Sequence, residues 1–266
     1  MNTTLKKINH TDISKTYSIA TAKNTYIPIL PWGSIEPHGE HLPYLTDSIL
    51  AEEVSNAVAD LANEKLQSTL RDELKGKILN CVVLPTLSMG SQNPSQLEYP
   101  FCIHFNTETQ KKVLEDIVVS LQKQEITRLF IINGHNGNTL KSIIRDLGVK
   151  YPDFNIYLCN YLDVVDYVKW IDEKLIRYEL DDHAAYTETS LMLHVHPELV
   201  HLEHLPFEEE NVGKPNDGCF WKPRDWADCS VNTRVGTVGM ASGQNGKTMF
   251  DYVAEKLSNE IVNICR

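Results

Sequence analysis

Residues 128–138 read RLFIINGHNGN, and this stretch indicates how the chain folds. The apolar run at its start predicts a buried strand over residues 128–133, and a helical pattern follows the polar turn from 139 to about 150. A strand that is apolar along its whole length is typical of a parallel sheet that is covered on both faces. Strand, glycine-rich turn and helix therefore predict one unit of an α/β fold.

The same alternation of apolar runs and helical patterns continues on both sides of this unit. Further strands are predicted at residues 26–31, 78–85 and 155–160. Further helices are predicted at about 47–65, 106–124, 187–195 and 246–264. The sequence shows no internal repeat and no linker, and 266 residues are within the range of one large α/β unit, so we expect a single domain over residues 1–266.

One segment breaks the alternation. Residues 207–234 are rich in Asp, Glu, Asn, Pro, Gly and Trp, and carry no clear helical or strand pattern. Loops of this length are uncommon inside a compact domain unless they have a function of their own. We therefore expect a lid or a contact surface here.

Composition excludes several classes of protein. The formal net charge of −11 argues against a nucleic-acid-binding surface. No run approaches the roughly 18 apolar residues of a membrane-spanning helix, and the N-terminus lacks the apolar core of a secretory signal. The six cysteines are scattered without C-x-x-C spacing, as expected for reduced thiols in a cytoplasmic protein.

A second motif, residues 33–47, reads GSIEPHGEHLPYLTD and follows the first predicted strand. Carboxylates and imidazoles at this density suit a divalent cation such as zinc or manganese. Side chains two positions apart in an extended segment share a side, so Glu36 and His38 can point at one spot. The ionisable groups of this segment are Glu36, His38, Glu40, His41 and Asp47. The segment therefore predicts the first half of a metal site.

The candidate groups follow successive predicted strands. Glu36 and His38 follow the first strand, residues 88–99 follow the second, and residues 133–138 follow the third. In open α/β sheets, ligands bind beyond the carboxyl ends of the strands. We therefore expect these groups to gather at one edge of the sheet.

Asp47 and His135 each have two interpretations. Asp47 stands at a predicted helix start, where it could simply cap free amides, but beside Glu36 and His38 a metal ligand is favoured. A carboxylate there can also bridge two cations. His135 lies between two glycines, which suits either a plain solvated turn or the close approach of another group; after a parallel strand, the ligand is favoured.

His183 and Glu188 are weighed evenly between a site and a structural role. On a regular helix, five positions separate two side chains by about 140°, so this pair converges only if His183 precedes the helix or the first turn is irregular. In the structural interpretation, Asp181 and Asp182 cap the helix and Glu188 is an exposed helix position.

The remaining histidines are assigned other roles. His41 fits a residue that orients a ligand without contacting the ion. The others are predicted to be solvated or structural, namely His10, His104, His194, His196, His201 and His204. Neither a G-x-S-x-G elbow, nor a P-loop, nor a G-x-G-x-x-G turn occurs, which removes the motif support for serine hydrolases, NTPases and dinucleotide-binding proteins.

Taken in order, these motifs resemble the creatininase (creatinine amidohydrolase) family. The resemblance spans roughly residues 25–265 and rests on residues 33–47, 133–138 and 183–190, with a similar C-terminal glycine pattern at 238–247. It implies a three-layer α/β/α sandwich around a mostly parallel sheet, and two divalent metal ions. It also implies hydrolysis of small amide or cyclic C–N substrates, usually by homohexamers.

The resemblance also implies roles for single residues. One metal would be held by Glu36, Asp47 and His135, and the second by His38 together with Asp47 as the bridge. His183 would match the catalytic histidine of the family.

Three features separate this chain from creatininase itself. Creatininase has another glutamate ligand two residues after the histidine of the Asn-Gly-His motif, and Gly137 occupies that place here, so Glu188 is the expected replacement ligand. Glu179 stands where creatininase has the tryptophan that guards its pocket, and Phe101-Cys102 replace a Gly-Thr pair. Creatinine is therefore not assumed to be the substrate.

The expected function is metal-dependent hydrolysis of a C–N amide bond in a small molecule, such as a cyclic amide or a formamide, through a metal-activated hydroxide. His183 would protonate the departing nitrogen, with Glu188 as a second catalytic residue. The expected ions are zinc or manganese, with iron as a third option. The alternatives are a lactone or ring hydrolase with one or two metals, or a small-molecule-binding protein without catalysis.

Overall fold

Four strands form the central sheet, and all of their pairings are parallel. In a computed structural model that describes residues 26–73, 79–172, 174–205 and 219–265, the strands are β1 (Tyr26–Trp32), β2 (Asn80–Val83), β3 (Arg128–Asn133) and β4 (Asn155–Asn160). Their order is β2-β1-β3-β4, so β1 and β3 occupy the centre. This confirms the predicted parallel sheet. Residue 78, the first of the second predicted strand, lies outside the described residues.

Seven α-helices occur among the described residues. They are α1 (Thr46–Glu73), α2 (Thr107–Lys123), α3 (Leu140–Lys150), α4 (Tyr161–Ile171), α5 (Tyr186–Val195), α6 (Trp226–Cys229) and α7 (Gly243–Cys265). Short 3₁₀ turns occur at Gln96–Glu98, Pro197–Leu199 and Leu202–His204, and a two-stranded antiparallel ribbon pairs β5 (Asp181–His183) with β6 (Val235–Gly236).

The helices cover the sheet on both faces, because successive strand residues point to opposite sides. Ile29 belongs to a core that includes residues of α1, α4, α5 and α7, whereas the next residue, Leu30, belongs to a core with α2 and α3. The same alternation divides Leu129 and Ile131 from Phe130 and Ile132. The three-layer α/β/α sandwich is therefore confirmed.

Helix α4 is absent from the sequence prediction. It begins directly after β4, and Asn160 at its N-terminus makes no side-chain capping bond. Its buried residues Tyr161, Val165 and Val168 nevertheless recur at helical spacing. Helix α1 also continues past the predicted end near residue 65.

The irregular segment 207–234 is described from residue 219 onward, and residues 207–218 lie outside the described part. Helix α6 forms within it, and its residue Trp226 packs with Tyr99 and Leu180. The backbone N–H of Trp226 donates to the carbonyl of Pro94, in the turn after β2. This part of the segment is therefore folded against the carboxyl edge of the sheet.

No helix within the described residues combines the length and hydrophobicity that a bilayer crossing requires.

Candidate metal centre

The segment after β1 and the first turn of α1 lie in direct contact, and this brings the first predicted ligands together. A Cβ atom at Gly33 would lie 2.5 Å from the backbone nitrogen and Cα of Ser48, so the approach depends on the absence of a side chain at residue 33. Glu36 and His38 lie beyond this contact, and Asp47 occupies the first turn of α1. All three are buried, with 2% exposure or less.

Glu36, Asp47 and His135 form a first cluster. His135 follows β3, and its Nδ1 lies 2.9 Å from Glu36 Oε1 and 3.0 Å from Asp47 Oδ2. The other ring nitrogen, Nε2, lies 2.7 Å from the carbonyl oxygen of Ser91, to which it donates. In neutral His135, the Nδ1 lone pair therefore faces two carboxylate oxygens.

His38, Asp47 and Glu188 form a second cluster. His38 Nε2 lies 3.0 Å from Asp47 Oδ1 and 3.9 Å from Glu188 Oε1, while its Nδ1–H donates to the carbonyl of Glu36 over 3.0 Å. Glu188 therefore joins His38 instead of filling the space beside Gly137. Glu188 is expected to replace the glutamate ligand that creatininase has at the place of Gly137, and its position beside His38 and Asp47 is compatible with that expectation.

Both clusters have the composition of a cation site. Asp47 contributes one oxygen to each, and its Oδ2 makes no hydrogen bond although it is fully buried. Burying a charged carboxylate without compensation costs on the order of several kcal/mol. Three such carboxylates around two histidine lone pairs need protons or metal ions between them. Oxygen and imidazole donors of this kind suit zinc and manganese.

The pKa values show the same need for positive charge. Burial lowers the pKa of His38, but Asp47, Glu188 and Glu36 together outweigh burial and raise it to about 10. Burial also lowers the pKa of His135, but Glu36 and Asp47 outweigh burial and raise it well above its ordinary value. Burial raises the pKa of Glu188 to about 8. Without ions, protons occupy these groups.

His183 joins the site because it precedes the helix that carries Glu188. It ends β5, and Ala184 adopts a left-handed conformation with φ of 51° before α5 begins at Tyr186. The backbone N–H of Ala184 donates to Glu188 Oε2 over 2.6 Å. This turn meets the condition under which His183 and Glu188 can converge, and a regular helix over both residues would not.

The ring of His183 is buried between the clusters and α6. Its Nε2–H donates to the carbonyl of Pro37 over 3.0 Å, so the lone pair is on Nδ1. Its ring centroid lies 4.2 Å from that of His38 and 4.9 Å from that of Trp226. Burial and the positive charge of His38 lower the pKa of His183 below its ordinary value. His183 is therefore a neutral imidazole near pH 7.

His41 contacts helix α5 and not the clustered carboxylates. Its Nε2 lies 2.8 Å from Thr189 Oγ1, next to Glu188, while its Nδ1 is buried without a hydrogen-bond partner. Burial, with Arg234 and His38 nearby, lowers its pKa to about 3. His41 therefore contacts the first turn of α5 beside Glu188, and its role in orienting a ligand stays a prediction.

A cavity of about 560 Å³ opens onto the clusters. Glu36, Asp47, His135, His183 and Glu188 all contribute to its wall. The outer wall comes from the turn after β2 and from residues 221–226, where Arg224 pairs with Asp182. Glu179, which replaces the guarding tryptophan of creatininase, is exposed and is not part of this wall.

Gln96, Trp226 and His104 are cavity-wall residues that the sequence prediction did not name as site residues. Gln96 donates from its amide nitrogen to Glu36 Oε2, and Trp226 contacts His183. His104, predicted to be isolated, also lines the cavity, and its Nδ1 accepts from the backbone N–H of Gln92. Gln96 and His104 are polar residues of irregular segments, which have no periodic signal that would have identified them.

Two other histidines form an exposed group. His201 Nδ1 lies 3.0 Å from Glu203 Oε1, and His204 Nδ1–H donates to the carbonyl of Glu40. His201 and Glu203 are more than half exposed as side chains. These contacts satisfy the three groups without an ion and agree with the predicted structural role.

Comparison with known proteins supports the resemblance that the motifs indicate. The creatininase family pattern, described as creatinine amidohydrolase, matches residues 14–261. Creatinine amidohydrolase of Pseudomonas putida is 23% identical over 264 residues, which cover 93% of each chain. Mycofactocin precursor peptide peptidase of Mycobacterium ulcerans (strain Agy99) is 28% identical over 178 residues, which are 65% of this chain and 59% of the peptidase.

Solved structures agree with this comparison. A protein of Bacteroides fragilis NCTC 9343, provisionally named creatinine amidohydrolase, is 35% identical with a TM-score of 0.84, covering 100% of this chain and 97% of its own. A mutant creatininase of the Zn–Zn type has a TM-score of 0.71 at 22% identity, over 98% of this chain and 97% of its own. A manganese creatininase has a TM-score of 0.72 at 21% identity, over 98% of both chains.

The pattern match over nearly the whole chain and the 35% identical structure agree with each other and confirm the resemblance. The chain belongs to the creatininase (creatinine amidohydrolase) family of hydrolases.

Proposed function

We propose that this protein hydrolyses a C–N amide bond of a small molecule with the help of two divalent ions, zinc or manganese. The observation that carries the proposal is the position of Asp47, whose two oxygens face His38 and His135 at 3.0 Å on either side. One ion would be held by Glu36, Asp47 and His135, and the other by His38, Asp47 and Glu188. Creatininase structures with Zn–Zn and with manganese support this choice of ions.

When bound, such ions supply Lewis acidity, which polarises a carbonyl and lowers the pKa of a water molecule. The chain's own part in proton transfer falls to His183. Because its Nε2–H is engaged with Pro37, its Nδ1 can accept a proton from the attacking water and return it to the departing nitrogen. The lowered pKa of His183 suits this order of proton transfers, because the imidazole must be unprotonated at the start.

Hydrogen bonds at the start of α5 hold Glu188 in place. Glu188 is fixed by the Ala184 N–H, and His41 holds the neighbouring Thr189, so α5 presents a fixed carboxylate. The cavity of about 560 Å³ has the size of a small-molecule site and is open enough to admit a chain end. An amide of a peptide end is a second candidate, because mycofactocin precursor peptide peptidase is among the relatives.

The proposal includes the arrangement of the whole chain. Residues 1–266 would act as one creatininase-like domain, in a homohexamer as the family resemblance implies. All six cysteines are free thiols, which supports a cytoplasmic location.

A substrate screen tests the proposal. Metal-free protein is reloaded with Zn²⁺ or Mn²⁺ and offered creatinine, other cyclic amides, formamides, short peptides and lactones, with and without chelator. We expect metal-dependent cleavage of an amide C–N bond that is absent in the chelated sample. Cleavage of lactones alone would favour the ring-hydrolase alternative. Stoichiometric metal binding without any turnover would favour a binding protein without catalysis.

A further inference from the structure

Gln96 lies at the edge of the metal centre and is held from both sides. It is 1% exposed and begins the 3₁₀ turn Gln96–Glu98. Its Oε1 accepts from the backbone N–H of Asn93 over 2.5 Å, and its Nε2 donates to Glu36 Oε2. Because an amide oxygen cannot donate, the bond with Asn93 fixes which end of the side chain faces Glu36.

This contact determines how Glu36 can act. With Oε2 occupied by Gln96, only Oε1 faces the first cluster, where it lies 2.9 Å from His135 Nδ1. The terminal torsion of a glutamate is otherwise broad, so a carboxylate without such a partner can rotate. Gln96 therefore selects one orientation of Glu36 and one oxygen as the donor.

The orientation of the Glu36 carboxylate matters more for ion affinity in this chain than it would if the first cluster had a further ligand. The first cluster has three protein ligand groups, Glu36, Asp47 and His135. With so few donors, each carries a large share of the affinity. We propose that Gln96 is a positioning residue that sets the affinity of the Glu36–Asp47–His135 site for its ion. This inference rests on the metal centre of the proposed function.

The turn that carries Gln96 is fastened to residues 225–227, the neighbouring segment of the cavity wall. Ser95 has φ of 65°, and its hydroxyl donates to Asp225 Oδ1 over 2.7 Å and accepts from the Ala227 N–H. The Trp226 N–H donates to Pro94. The same segment therefore contacts His183 through Trp226 and holds Gln96 through Ser95.

The test measures Zn²⁺ binding to metal-free protein by competition with a chromophoric chelator. Gln96→Met removes the amide donor at similar side-chain length. If Gln96→Met does not fold, Gln96→Leu is used in its place. Loss of a partner that orients a metal ligand typically costs about 10–100-fold in affinity, and we expect this loss for one of the two ions only. Gln96→His, which keeps an N–H donor, should restore most of the lost affinity.

Gln110→Met is the matched control, because Gln110 is another fully buried glutamine whose amide donates to Asn138 and not to a carboxylate of the site. It should bind both ions as the unaltered protein does. Unchanged affinities in Gln96→Met, equal weakening of both ions, or the same loss in Gln110→Met would each overturn the inference. These affinity measurements do not depend on turnover. A protein that binds two ions but cleaves no substrate would therefore refute the proposed function and leave the inference about Gln96 intact.

Discussion

Gly137 lies against His135 so closely that a Cβ atom at residue 137 would come within 2.3 Å of His135 Nε2 and of the Ser91 carbonyl oxygen. That nitrogen and that oxygen form the hydrogen bond that directs His135 Nδ1 toward the carboxylates. A glutamate at residue 137, as in creatininase, has no room in this backbone arrangement. The glycine is thus part of how His135 is oriented here.

Gly137→Ala should therefore disturb the first cluster. Forcing an extra carbon into this space should cost about 1–3 kcal/mol in the free energy of unfolding, and should weaken binding of one metal ion. Chemical denaturation and Zn²⁺ titration measure the two effects. The control is Gly148→Ala on α3, where a Cβ meets nothing within 4 Å. That change should stabilise the helix by roughly 0.5–1 kcal/mol.

Asp47→Asn should abolish binding of both ions at once. The amide has one neutral oxygen where two charged ones face His38 and His135, so neither cluster keeps its shared donor. Elemental analysis should show loss of both metals, with turnover lowered by more than about 100-fold, the upper range for altered partners of metal ligands. Asp116→Asn, at an exposed position on α2, is the control. Retention of one full equivalent of metal in Asp47→Asn would contradict a bridging role.

His183→Gln should separate catalysis from metal content. His183 transfers a proton in the proposed reaction, and the loss of such a group typically lowers turnover by about 10²–10⁴-fold. The ions should remain, because Asp47 and the other predicted ligands are unchanged. Parallel measurement of kcat and of bound metal separates the two effects. His194→Gln is the control, because the His194 ring packs on Phe250. Unchanged kcat in His183→Gln would remove its assigned role.

The metal-free protein should lose stability between about pH 7 and 9.5. The folded-state pKa is raised for His38, to about 10, for Glu188, to about 8, and for His135. The folded state therefore binds more protons than the unfolded state in this range, and its stability falls as those protons leave. His41 and His183 have lowered pKa values and act in the opposite direction only at lower pH.

Thermal unfolding of chelator-treated protein across this pH range tests the expectation. Metal-loaded protein is the comparison, because bound ions replace the protons and should remove most of the decline. Metal uptake at pH 7.5 should also release protons, which a pH-indicator dye in weak buffer detects. A metal-free protein whose melting temperature rises steadily from pH 7 to 9.5 would contradict the assigned pKa directions.

The sequence predicted the sheet and the gathering of the site at its edge because both follow from simple periodicities. The apolar run before Asn133 and the two-residue spacing of Glu36 and His38 are local signals. The position of Glu188 in the site was harder to predict. It depends on the left-handed turn at Ala184, and no residue type at that turn indicates a left-handed conformation. The contact of Gln96 with Glu36 joins residues 60 positions apart through an irregular turn, and such contacts have no pattern in a single sequence.

The two clusters share Asp47 but depend on different parts of the fold. Glu36 and His135 follow adjacent central strands, so their cluster depends on the parallel sheet. Glu188 belongs to α5, which lies against α7 so closely that a Cβ at Gly246 would come within 1.8 Å of the Ser190 carbonyl oxygen. Transient separation of these two helices would release only the Glu188 side of the centre. The two ions should thus respond differently to local opening, because separation of α5 from α7 would affect only the ion beside α5.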